Sequence, residues 1–158
     1  MPLQLGYLDS AGHPRLRVRV SGTHPTNVVD VEAYIDTGFT GFLTLPIVKA
    51  LPLGLILLGD SEHTIADGSK LSSFAAGGTV TVLTPLEENL PGVGALGVES
   101  ENAAGLILLC AGPTLLGMEF IRSLKKHLLV SPVVALLDEE ILRQAVALFQ
   151  ARHNSSGV

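Results

Sequence analysis

The chain has 158 residues and a mass of 16.5 kDa, a size that predicts a single domain. Hydrophobic residues make up 47% and charged residues 16%, with a mean hydropathy of +0.45, which excludes an intrinsically disordered chain. Fifteen acids against ten bases give a net charge of −5, which argues against a nucleic-acid partner, and the single cysteine, Cys110, excludes a disulfide scaffold.

Met1 to Gly6 carries neither the basic region nor the apolar run of a secretory leader. The longest uncharged stretch, Asn102 to Met118, is seventeen residues interrupted by Gly105, Gly112 and Pro113. A bilayer-spanning helix needs about 20 predominantly apolar residues. The expectation is a cytoplasmic protein with no membrane partner.

In chain order, Leu16, Val18 and Val20 alternate with Arg15, Arg17 and Arg19, the period of a half-buried strand. Ser21 to Pro25 is a turn cluster, and Val28 to Ile35 reads as a second strand running into Asp36-Thr37-Gly38. Gly38 and Gly41 bracket a tight loop, Ile47 to Leu51 has room for one or two helical turns, and Leu53 to Leu58 is an apolar run of strand length. Asp67-Gly68 predicts the turn of a hairpin over His63 to Ser73. A separate strand follows at Thr79 to Leu83, then an irregular acidic insertion from Pro85 to Ala104 and an apolar strand at Leu106 to Leu109. Met118 to Lys126 is expected as a short helix and Leu128 to Leu137 as one further strand. From Asp138, a plausible N-cap, the pattern turns helical: Ile141, Leu142, Ala145, Val146 and Phe149 share one face. These elements predict a mainly β domain over residues 1–137 and a C-terminal helix and tail over 138–158.

The chemistry-bearing motif is Asp36-Thr37-Gly38. An apolar strand delivers the carboxylate to a glycine-bounded turn, where backbone N–H groups can hold it; alone, the tripeptide is equally readable as an aspartate closing a hairpin. Three segments in order then add to it. They are Tyr34-Ile35-Asp36-Thr37-Gly38-Phe39-Thr40-Gly41-Phe42-Leu43-Thr44-Leu45-Pro46, Thr64-Ile65-Ala66-Asp67-Gly68-Ser69, and Pro113-Thr114-Leu115-Leu116-Gly117-Met118-Glu119-Phe120-Ile121. With them the chain resembles the retropepsin-like aspartic proteases, in particular their small bacterial members, over roughly residues 15–131.

The resemblance implies a closed β-barrel with one short helix, to which this chain adds its C-terminal helix. It further implies that Asp36, Thr37 and Gly38 form the catalytic loop, with Asp36 as the acid and Thr37 bracing the loop across a dimer. Ala66, Asp67 and Gly68 would be the flap over a peptide or protein substrate. Two carboxylates sharing one proton are needed for that chemistry, and the chain holds one Asp-Thr-Gly, so the implied enzyme is a homodimer. No metal or cofactor is called for. The chain departs from the viral pattern at Phe39, which stands where a small residue is usual, in its single flap-tip glycine, and in the 85–104 insertion. Two other readings remain at this point: a catalytically silent dimerisation or peptide-binding module of the same fold, and an unrelated β domain in which Asp36 closes a turn.

Other motifs are set aside on context. Gly92-Val93-Gly94-Ala95-Leu96-Gly97 has dinucleotide-site spacing but neither the preceding strand nor the following helix. The five histidines show no paired metal-ligand spacing, although His63 falls at the base of the expected flap. Cys110, in an apolar strand, reads as a core residue.

Overall fold

The computed structural model describes residues 4–64, 70–83, 101–131, 134–138, 140, 142–144 and 146–147. The chain is mainly β. Short strands β1 (Gln4–Leu5) and β2 (Tyr7–Leu8) precede β3 (Pro14–Ser21), which pairs antiparallel with β4 (Val28–Ile35) in the register Val18↔Val31. Alternation places Leu16, Val18 and Val20 in the core at 0% exposure, while Arg17 and Arg19 face outward. Each such buried aliphatic side chain contributes roughly 1.5–3 kcal/mol. Both strands stand where the alternation predicts them.

After the Asp36 loop come β5 (Leu43–Pro46), one helical turn α1 (Ile47–Ala50) and a 3-10 turn over Leu51–Leu53. The apolar run Leu53 to Leu58 is therefore not one strand. Leu53 ends the 3-10 turn fully buried, Gly54 reverses the chain at φ 58°, and β6 (Leu57–Thr64) begins only at Leu57. Pro52 at the start of the turn and Gly54 just past its end are the reason: a preset φ opens a helical turn and a left-handed glycine closes it.

β6 pairs antiparallel with β7 (Lys70–Val82) in the register Thr64↔Lys70, with a bulge between Leu57 and Gly59. The hairpin thus starts at Leu57 rather than His63, and its second arm continues without a break into the strand expected separately at Thr79. Ala66, Asp67 and Gly68 lie outside the described residues. Along the 13-residue β7, positions 70–76 pair with β6 and positions 79–82 with β3. The exchange of partners falls at Gly77-Gly78, where a Cβ on Gly78 would sit 2.4 Å from Ile107 Cδ1 and 3.1 Å from the Ser21 carbonyl.

β8 (Asn102–Cys110) is longer than the apolar core Leu106 to Leu109, and its first three residues were expected in the insertion. Their backbone pairs with Thr79, Val80 and Thr81 of β7, which overrides their weak strand propensity. Residues 84–100 lie outside the described residues. Next come β9 (Leu115–Leu116) and α2 (Met118–Ser123), which stops short of Lys126 because Lys125 turns left-handed at φ 52°.

Leu128 to Leu137 is two strands rather than one. β10 (Lys126–Val130) and β11 (Val134–Asp138) form a hairpin, and β1 pairs with the far edge of β11. Proline lacks the N–H that the interior of a ladder needs, so a single strand running through position 132 is disfavoured. Asp138 remains the last residue of β11, and its Oδ1 accepts the Glu140 N–H at 2.9 Å, a cap on the helical residues 140, 142–144 and 146–147.

The main sheet runs β2-β3-β4-β9-β5-β8-β7-β6, and the additional β3–β7 pairing turns it into a ring around the core. Phe42 and Phe120 meet edge to face inside, with ring centroids 5.4 Å apart. No helix among the described residues is long and apolar enough to cross a membrane.

Candidate functional site

Asp36 follows β4 directly, and its position is set from a segment about eighty residues away. β4 pairs in parallel with β9 through Tyr34↔Leu115 and Ile35↔Leu116, and the Asp36 N–H donates to the Leu116 carbonyl at 3.0 Å. β9 also pairs antiparallel with β5 on its other edge, so both ends of the loop 36–43 are anchored to the same two residues. Thr44 reinforces that anchor: its hydroxyl donates to the Pro113 carbonyl at 2.8 Å and accepts the Leu115 N–H at 2.9 Å.

The loop is tight. The Asp36 carboxylate accepts the Gly38 N–H at 2.9 Å, and the Asp36 carbonyl accepts the Phe39 N–H at 3.2 Å. A Cβ on Gly38 would stand only 3.2 Å from Asp36 Oδ1. Below, the first turn of α2 is tied to the same loop: the Met118 N–H donates to the Phe39 carbonyl at 2.9 Å, and the Gly117 N–H to the Phe42 carbonyl at 3.1 Å. Gly117 has no room for a side chain, since a Cβ there would lie 2.1 Å from the Gly41 carbonyl. The Leu115-Leu116-Gly117 segment therefore supports the Asp36 loop by main-chain bonds and by a backbone contact that only glycine allows.

Asp36 is half-buried at the edge of a cleft of about 810 Å³. Gly38 and Phe39 line it from the loop, and Leu106, Leu108 and Cys110 from β8. Glu62 and Ser73 enter from the two arms of the β6–β7 hairpin, and Glu119 from the start of α2. The described residues lining the cleft carry three carboxylates and no Lys, Arg or His; Glu62 has an exposed partner in Lys70 at 3.1 Å. Thr37 is exposed at the tip of the loop and is not among the lining residues. Of the residues expected in the catalytic loop and flap, the fold brings Asp36 and Gly38 to the cleft. Ala66, Asp67 and Gly68 fall outside the described residues, as does the side chain of His63.

Glu62, Ser73, Cys110 and Glu119 were not expected at the site. Ser73 and Cys110 are each buried to within a few per cent yet line the cleft, on the face of β7 and β8 turned away from the ring core. The alternation Leu106-Leu108-Cys110 along β8 is the sequence trace of that second face, and it is hidden by the unbroken apolar run. Among the described residues no group of three or more His, Cys, Asp or Glu is placed to hold a metal ion.

A titratable cluster outside the cleft braces the other side of β4. Arg15 donates from Nε to Asp9 at 2.8 Å and from Nη2 to the Tyr34 hydroxyl, with its guanidinium 3.7 Å from the Tyr34 ring centre. The backbone N–H of His13 and then the Arg15 side chain and the Ala11 N–H hold the Asp9 carboxyl well below its usual range, at about 2.

Scans against protein-family models and against curated proteins return no match to this chain.

Proposed function

We propose that the chain is one half of an aspartic endopeptidase of the retropepsin-like type, completed by a second copy of itself. In this reading the ring-like sheet is the closed barrel of that fold, and the β6–β7 hairpin is the flap over a bound peptide. The observation that carries it is the Asp36 loop: a half-buried carboxylate, held by its own turn and by β9, at the edge of a cleft large enough for an extended peptide. An aspartate that only closed a turn would need neither the cleft nor the support from Gly117 and α2.

The chemistry follows from symmetry. A two-fold axis beside Thr37 and Gly38, both exposed in the single chain, brings two Asp36 carboxylates together. Like charges that close cannot both ionise, so the pair holds one proton and titrates as a unit. The ionised member takes a proton from water, the water attacks the scissile carbonyl, and the protonated member donates to the carbonyl oxygen. Collapse of the tetrahedral intermediate then passes a proton to the leaving amine. A reducing, cytoplasmic setting is part of the proposal, in keeping with the single buried Cys110.

The test compares the wild-type chain with Asp36→Asn on a peptide library at several acidic to neutral pH values. The amide is nearly isosteric but cannot accept the proton, so cleavage should fall by about 10²–10⁴-fold or more with the fold retained. Equal cleavage by both proteins would overturn the proposal. No cleavage by either, in a formed dimer, would make the chain a silent peptide-binding module of the same fold.

A further inference from the structure

Phe39 stands three residues after Asp36 and lines the same cleft. Its backbone is fixed at both ends, the N–H on the Asp36 carbonyl at 3.2 Å and the carbonyl on the Met118 N–H at 2.9 Å. Its ring is fixed too. A Cβ on Gly41 would lie 2.5 Å from Phe39 Cζ, and one on Gly117 would lie 2.6 Å from Phe39 Cδ1. The ring thus occupies the space that two glycines leave empty, with main chain directly behind it. It has nowhere to retreat when a ligand enters, because what lies behind it is hydrogen-bonded backbone rather than movable side chains.

From this geometry we propose that Phe39 is a specificity-determining residue: its ring is a rigid wall beside Asp36 that confines the substrate side chain placed there to Gly, Ala or Ser. The inference rests on the peptide-binding reading of the cleft given above and adds a substrate class to it. Three observations bear on the same point. Phe39 is only half-buried, so one side of the ring is open to the cleft while the other is packed. Of the neighbouring loop positions on the cleft, Gly38, Thr40 and Gly41 are small and Phe42 is turned into the core against Phe120 at 1% exposure, so Phe39 carries the exposed ring on this stretch of the wall. The ring at 39 and the glycine at 41 are also interdependent, since a Cβ at 41 would meet Phe39 ring atoms at 2.5, 2.8 and 3.4 Å, whereas Gly117 is demanded by the main chain as well as by the ring.

The experiment uses the full chain and peptides that vary only in the two residues flanking the cleaved bond, from Ala to Leu to Phe. Wild type should cleave the small-residue peptides about 10–100-fold more efficiently in kcat/KM than the bulky ones, the range one misfitting group in a shaped pocket produces. Phe39→Ala should remove that preference by gaining on the Leu and Phe peptides, mainly through KM, and Phe39→Leu should fall between the two. Should Phe39→Ala not fold, as judged by circular dichroism, Phe39→Leu carries the comparison alone. The same peptides, fluorescently labelled, are titrated onto Asp36→Asn and onto Asp36→Asn/Phe39→Leu, so that selection by size is read without any cleavage. Size-selective binding with no cleavage by wild type would sink the peptidase reading and leave the role of Phe39 standing. An identical size profile with Phe and with Leu at position 39, or no peptide bound or cleaved at all, overturns the inference.

Discussion

Single atoms decide most of what is distinctive in the loop. Gly117 and Gly41 are conformationally ordinary, and what they supply is the absence of a Cβ where Phe39 and the α2 turn close on each other. Asp9 is the contrasting case, a surface aspartate whose protonation is shifted by local donors. The His13 N–H is the first of them, followed by Arg15 and the Ala11 N–H, and together they lower its pKa from 3.8 to about 2. Because the folded value is depressed, the stabilisation is fully present above pH 3.8 and is lost as pH falls toward 2. Asp9→Asn should therefore be less stable than wild type at neutral pH, with the gap closing between those two values. Urea unfolding in half-unit pH steps checks this, and a constant gap down to pH 2 would contradict it.

Among the elements, the three-stranded sheet β1-β11-β10 is joined to the ring by Val134 and Leu136, both buried in the core, and by a buried ammonium. The Lys126 side chain on β10 is 1% exposed, with Nζ 2.9 Å from Glu101 beside β8 and 3.7 Å from Asp138 at the end of β11. Asp138 is the same residue that caps the C-terminal helical segment. One lysine thus links the strand that follows residues 84–100, the terminal hairpin and the start of the helix. Lys126→Met keeps the aliphatic stem but leaves two carboxylates facing each other without a counter-charge. It should cost about 1–3 kcal/mol, the range for losing hydrogen bonds to charged groups. Glu101→Gln should cost less, because Asp138 remains to pair with the ammonium. Denaturant midpoints measure both, and an unchanged midpoint for Lys126→Met would mean that the triad contributes nothing.

For the whole molecule, assembly is part of the chemistry of the proposed enzyme, since one chain supplies one Asp-Thr-Gly. Sedimentation equilibrium at micromolar concentration should give twice the 16.5 kDa chain mass. Asp36→Asn should associate as tightly as wild type or more so, because it removes the repulsion between two carboxylates at the axis. Cleavage by a strictly monomeric chain would remove the need for a second copy, and with it the dyad.

How far these features could be read from the residues depends on whether their causes are local. The alternation Leu16-Val18-Val20, the strand Val28 to Ile35 and the turn at Asp36-Thr37-Gly38 were legible because period and turn chemistry act over a few neighbours, and they stand where the pattern puts them. The start of α2 after Gly117 is legible on the same grounds. Other features have no local cause. Gly77-Gly78 does not announce that β7 leaves β6 for β3, and a continuous apolar run cannot tell the buried Leu53 from Ile56, Leu57 and Leu58, which are more than half exposed. The addition of β1 to the edge of β11 joins opposite ends of the chain, and no local pattern announces it. The site divides along the same line. The carboxylate and its turn follow from neighbouring residues, since a short apolar strand and two glycines suffice for that. Tertiary structure alone decided that Leu116 would receive the Asp36 N–H, that Glu62 and Ser73 would reach the cleft from another hairpin, and that Phe39 would be held against Gly41 and Gly117. Those contacts join segments up to eighty residues apart, and they form only once the β4–β9 and β5–β9 pairings have brought the segments together.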